Sequence, residues 1–199
     1  MPSPFVYFAG QRLSGAELAA ARLDGDLVEV GEGYMPADAV ETADLRAASL
    51  APLVGRTLAA THLSAAWVHG ALDAPPARHR VQRFVARRLS PPTDVRVRYS
   101  DVRLDAGDAD VICGVAVTSP ARTLADLARS RDDAHRDAAV RLMAIAPELR
   151  EAALAWLAAA GPVPDKRPAA VFLRGHIPPI ARPPPQARAT AWPQPVRTR

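Results

Sequence analysis

The chemistry open to this chain is mainly that of arginine. Arg80, Arg83 and Arg87 fall in the β-prone run RHRVQRFVARRL at 78–89, and Arg96 and Arg98 in DVRVRYS at 94–100. Between Ala77 and Arg103 eight arginines face two acids. A guanidinium presents a planar fork of donors that matches phosphate or carboxylate oxygens, so this cluster predicts contact with DNA phosphates or with an acidic partner. The plainer alternative is a solvated sheet face whose arginines pair with nearby acids. Strand alternation puts Val95, Val97 and Tyr99 on one side and Arg96 and Arg98 on the other. Phe84 and Tyr99 then point inward, so no stacking platform for single-stranded nucleic acid is expected. All but one of the 25 basic residues are arginine, Lys166 being the exception; clustering, not number, carries the signal.

Other positions add candidates or remove chemistries. Arg122 and Asp126 stand four apart on one helix face, a pair worth a few tenths of a kcal/mol that would anchor a helix to its sheet; Arg122 is also a candidate contact residue. Near the start of the chain, Arg12 and Arg22 are the basic residues that a DNA-recognition element could use. The histidines His62, His69, His79, His135 and His176 form no HExxH or similar metal pattern, and no serine lies in a G-x-S-x-G elbow. Lys166 follows Asp165 in a proline-flanked turn, with no strand to present the acid–lysine set of a nuclease. The expectation is a non-enzymatic protein with no catalytic residue, no metal and no cofactor. Cys113 is the sole cysteine, which excludes an internal disulfide; in ADVICGVAV it reads as a small core filler. His69, just before Gly70, reads as a capping or core histidine.

The elements that must position these residues follow from local signals. Ser14 and Glu17 have capping-box spacing for a helix reaching Leu23, and LVEV with Gly31 and Gly33 predicts a strand entering a hairpin. Residues 41–55 predict one helix and Thr57–Ala60 a short buried strand. Two stretches then repeat one device: THLSAAWVHG at 61–70 and VAVTSPARTLADLAR at 115–129 each pair a β-prone run with an Ala-rich helix. Thr61 in the first and Ser119 in the second are the expected N-terminal caps, with Pro120 in the first helical turn. Residues 132–146 and 148–160 predict two helices joined at Pro147, and KRPAAVFLRG a short one.

That pairing of VTSPARTLADLAR with HLSAAWVHG resembles the AbiEi-type antitoxins of type IV toxin–antitoxin systems, including actinobacterial predicted transcriptional regulators; the resemblance runs from about Leu13 to Arg129. It implies a winged helix-turn-helix followed by a mixed α/β domain, repression of the protein's own promoter, and neutralisation of a nucleotidyltransferase-like toxin encoded beside it, with direct contact not required. The expected organisation is an α+β or mixed α/β chain. A winged-helix-like part spans 1–40, a small mixed-sheet domain 41–131 and C-terminal helices 132–175. A disordered basic proline-rich tail occupies 176–199, where Arg182, Arg188, Arg197, Arg199 and Trp192 could meet nucleic acid. The predicted DNA-contacting set is Arg12, Arg22, Arg80, Arg83, Arg87, Arg96, Arg98 and Arg122.

Charge distribution tempers this picture. Met1–Gly55 holds three arginines and eight acids, a net charge of −5, whereas Lys166–Arg199 holds seven basic residues and no acid. Duplex DNA repels an acidic surface, so a protein-interaction module without specific DNA binding is the alternative reading. The net charge of +4 and an apolar fraction of 49% suit a globular protein. No segment approaches the roughly 20 apolar residues of a membrane span and Met1–Leu13 has no leader pattern, which predicts a cytoplasmic protein that does not enter membranes.

Overall fold

The computed structural model describes residues 5–175; the basic tail predicted from 176 onward lies outside them. The first helix, α1 (Gly15–Leu23), starts on the expected reciprocal cap: Glu17 N–H donates to Ser14 Oγ at 3.2 Å and Ser14 N–H to the Glu17 carboxylate at 2.7 Å. The strands β1 (Leu27–Val30) and β2 (Gly33–Pro36) form the antiparallel hairpin. Gly31 turns it at φ +50 in a space that has no room for a side chain, because an added Cβ would overlap the Ser49 hydroxyl and lie 3.0 Å from the Trp67 ring.

The helix expected over 41–55 is two helices, α2 (Ala43–Ser49) and α3 (Ala51–Val54). Pro52 lacks the N–H that would continue the ladder but suits the first turn of a new helix, so Leu50 closes one helix and opens the next. Arg46 of α2 donates to the carbonyls of Trp67 and Leu72 at 2.8 and 3.1 Å.

The two copies of the strand–helix device form the centre. Strand β3 (Leu58–Ala60) leads to α4 (Leu63–Val68), and β4 (His79–Arg83) and β5 (Val97–Arg103) follow. A 3-10 turn (Ala106–Asp108) connects to β6 (Ala109–Ile112) and β7 (Val115–Thr118), which leads to α5 (Pro120–Ala128). The sheet order is β5-β4-β3-β7-β6, with β3 parallel to β7 and β4 parallel to β5, while β3/β4 and β6/β7 run antiparallel. The second copy starts as expected, Ser119 Oγ accepting from Arg122 N–H with Pro120 in the first turn. The first does not. Its cap residue is His62 at φ 54, ψ −126, with no side-chain capping bond, because the Thr61 hydroxyl is turned to the Arg80 carbonyl, 3.3 Å away.

One sheet face places Leu58, Ala60, Val81, Val97, Val115 and Val117 in a core with Trp67, Leu50 and the hairpin residues Val30 and Met35. The short link Leu104–Asp108 joins opposite edges of the sheet and crosses the other face, where Leu104 packs on the small side chains of Ala59 and Ala116. The remaining helices, α6 (Asp133–Ile145), α7 (Leu149–Ala159) and α8 (Lys166–Gly175), pack around α5 in a second core built on Leu124, Leu127, Leu142, Met143, Leu157 and Leu173. The architecture is mixed α+β with two sheets. Among the described residues no helix is long and apolar enough to cross a membrane.

Two expectations need correction. Val95, expected inside, is 80% exposed, because β5 begins only at Val97. Cys113 is half-buried in the β6–β7 turn at φ +49, followed by Gly114 at φ +84, the two left-handed residues that close a tight hairpin; burial pushes its thiol pKa up.

Candidate nucleic-acid interface

Strand register decides which arginines meet. In the parallel pair β4/β5, Arg80 lies opposite Arg98 and Gln82 opposite Ser100; Gln82 in turn lies opposite Ala59, and Ala59 opposite Ala116. All six therefore share the face that the Leu104–Asp108 link crosses. Opposed like charges on one face repel. Arg80 is half-buried and Arg98 exposed; burial first, and then the Arg98 charge, lowers the Arg80 pKa. Asp126 of α5 pulls it the other way without reaching bonding distance. Gln82 is only 9% exposed, and its Oε1 has no hydrogen-bond partner among the described residues.

The other predicted contact residues are dispersed. Arg83 is committed to the body: it pairs with Asp101 at 3.1 Å and donates to the carbonyls of Val85 and Ala86 at 2.9 and 2.6 Å. Alternation within a strand would have grouped Arg96 with Arg98, but Arg96 precedes β5 and is captured by the carboxylates of Asp94 and of Glu32 at the hairpin tip. Its side-chain and backbone N–H groups hold the Asp94 pKa down at about 2. Arg87 is exposed in the loop after β4, and Arg12 is exposed in a turn before α1. Arg22 pairs with Glu29 at 3.4 Å.

Arg122 sits in a buried network. It pairs with Asp108 and, at 2.9 Å, with Asp126, and lies over the Trp156 ring at 4.2 Å from its centroid. Trp156 Nε1–H donates to Asp108 at 2.7 Å, while Arg129 pairs with Asp126 at 2.9 Å. Burial raises the Asp126 pKa against the lowering pull of Arg122 and Arg129. The expected i, i+4 pair is thus present within a junction that ties the link, α5 and α7 together. Asp108 and Trp156 carry no local pattern that marks them in the sequence, and Gln82 looks like an ordinary strand glutamine.

Three histidines, His62, His69 and His79, serve packing. His69 Nε2 lies 2.8 Å from the Thr118 carbonyl and fastens α4 to β7. His79 Nδ1 approaches Ser64 Oγ at 3.2 Å, with Glu32 3.6 Å from its other nitrogen. The Thr61 hydroxyl gives its one proton to the Arg80 carbonyl and therefore accepts from His62 Nδ1–H at 3.0 Å. Among the described residues no group of three or more His, Cys, Asp or Glu could hold a metal ion.

No curated protein matches the sequence. Among solved structures, the RV2827C protein from Mycobacterium tuberculosis aligns at 20% identity with a TM-score of 0.42 over 82% of this chain; the chain spans 66% of that protein's length. The family model of the AbiEi antitoxin C-terminal domain matches residues 58–175, from the first strand of the larger sheet to the end of the last helix. That is more than half of the 199 residues, and the chain belongs to the AbiEi antitoxin family.

Proposed function

We propose that this chain is a non-enzymatic transcriptional regulator that binds DNA at its own promoter and counteracts a nucleotidyltransferase-like toxin encoded beside it. The observation that carries the DNA reading is a division among the arginines. Arg83, Arg96 and Arg122 are matched by Asp101, Glu32 with Asp94, and Asp108 with Asp126, whereas Arg80, Arg87 and Arg98 face no acid within ion-pair distance among the described residues. Unmatched guanidiniums, Arg80 and Arg98 on one face of the sheet and Arg87 in the loop after β4, suit an anionic polymer, whose phosphates supply the missing charge.

The test is anisotropy of the promoter duplex and of a scrambled duplex at two salt concentrations. Preference for the promoter that survives the higher salt supports the reading. The double variant Arg87→Ala/Arg98→Ala should weaken both duplexes and reduce the salt slope by about 2. Arg96→Ala should act on stability and leave the slope near its parent value. Binding that is insensitive to Arg87 and Arg98 would sink this surface.

The rival reading, a protein-interaction module, is favoured by the N-terminal part. Residues 5–40 hold one helix and a hairpin, and the hairpin tip is docked on the body through Glu32, Arg96 and His79, so it does not project as a free wing. No binding to either duplex, together with a stable complex with a protein partner, would decide for the rival.

A further inference from the structure

We infer that Arg80, Arg98, Gln82 and Ser100 form a receptor for a phosphomonoester dianion, supplied by a small phosphorylated metabolite such as a nucleotide or by the 5′-phosphate end of a strand. This goes beyond duplex binding and uses the free arginine pair in its own right.

Three observations converge on it. The first is the opposed pair itself. Neighbouring strands lie about 4.8 Å apart, and Arg80 and Arg98 stand opposite each other across them with no carboxylate or carbonyl among the described residues accepting from either. Nearby, Arg122 and Arg129 have Asp126 and Asp108 as bonded partners, so arginines at this end of the sheet are matched wherever the fold uses them. The second is burial. Arg80 is half-buried beside Asp126, which attracts it but is already committed to two other arginines. The third is Gln82, next but one to Arg80 along β4 and so on the same face. It is nine-tenths buried, with an amide oxygen that no described residue satisfies. A buried polar atom without a partner costs about 1–3 kcal/mol.

The chemistry selects the ligand. Two unmatched guanidiniums call for about two negative charges, which a phosphomonoester carries near neutral pH. A carboxylate or phosphodiester brings one. A terminal phosphate also offers three acceptor oxygens, enough to take bonds from both guanidiniums and one from the Gln82 amide, which presents its N–H2 to the site when the amide is flipped. Ser100, opposite Gln82, adds a hydroxyl donor.

Calorimetric titration of the full chain with inorganic phosphate, against potassium chloride at matched ionic strength, tests the receptor. Saturable phosphate binding is expected. Arg98→Ala, a change at an exposed residue that leaves the core untouched, should weaken it at least about tenfold, and Arg80→Gln likewise, while Arg87→Ala should leave it unchanged. A 5′-phosphorylated oligonucleotide and its 5′-hydroxyl counterpart then separate the two sources. Preference for the phosphorylated strand assigns the site to strand ends; equal affinity for the two, with free phosphate still bound, assigns it to small metabolites. Phosphate heats no different from chloride, or undiminished binding by Arg98→Ala, would overturn the proposal. Promoter affinity measured on the same samples fails or survives separately, since Arg87→Ala affects the duplex alone.

Discussion

His62 concentrates two costs at one residue. Its φ of 54 with ψ of −126 lies outside the regions that a side chain adopts without strain, a penalty of order 1–3 kcal/mol, and its ring is enclosed beside cations. Burial first, then the charges of Arg80, His135, Arg129 and Arg122, push its pKa down to about 2 from 6.5. His135 stands edge-on at 5.8 Å between ring centroids, and the Thr61 hydroxyl is the polar group that bonds the ring. The sign follows from linkage: the unfolded chain binds a proton at His62 near pH 6.5 that the folded chain refuses until about pH 2, so stability falls as pH drops through that window. His69 and His79 are shifted the same way by burial and add to the acid sensitivity. His62→Gly relieves the backbone strain and removes one titrating group. Its melting temperature should therefore fall less than that of the parent between pH 7 and pH 5, whatever the two start from. Equal losses would mean that His62 titrates freely in the folded state.

At the scale of elements, the hairpin turn is held by the absence of a side chain. Gly31 combines φ +50 with a space already filled by Ser49 and Trp67, so Gly31→Ala should destabilise by about 2–4 kcal/mol, summing left-handed strain and overpacking. The check is the urea midpoint at unchanged slope; a loss under about 0.5 kcal/mol would show that the turn relaxes. Local signals of this kind were legible in the sequence. Ser14 with Glu17 and Ser119 with Pro120 each encode a boundary within a few residues, and each cap is where the spacing put it, while the strand–helix device itself is present in both copies. Less legible was whatever depends on partners distant in sequence. Thr61 fails as a cap because Arg80, nineteen residues on, takes its hydroxyl proton. Arg96 leaves the arginine face because Glu32, from the distant hairpin, holds it together with its near neighbour Asp94, and Asp108 and Trp156 join Arg122 only through the crossing link and α7. The cluster of arginines could be read from the residues, but which of them stay free is set by register.

Over the whole molecule, charge is divided, and among the described residues ion pairing bridges the division at Glu32. The first 55 residues carry three arginines against eight acids, and their hairpin meets the basic strands where Glu32 binds Arg96 and approaches His79 at 3.6 Å. The Glu32 side chain is 13% exposed and that of Arg96 51%, so the carboxylate is held by the fold while the guanidinium stands at the rim. Glu32 thus both fastens the hairpin to the sheet and cancels one cation beside the arginine face. Glu32→Gln keeps the shape and removes the charge. Freed from that carboxylate, Arg96 retains Asp94 as an exposed partner, and such surface pairs are worth about 1 kcal/mol or less, so a phosphate can compete for it. The variant should bind a scrambled duplex several-fold more tightly at low salt, with a salt slope steeper by up to about 1, while melting at a lower temperature than the parent because the hairpin loses its anchor. An unchanged slope with a lowered melting temperature would confine Glu32 to a structural role, and an unchanged melting temperature with a steeper slope would confine it to shielding the arginine face.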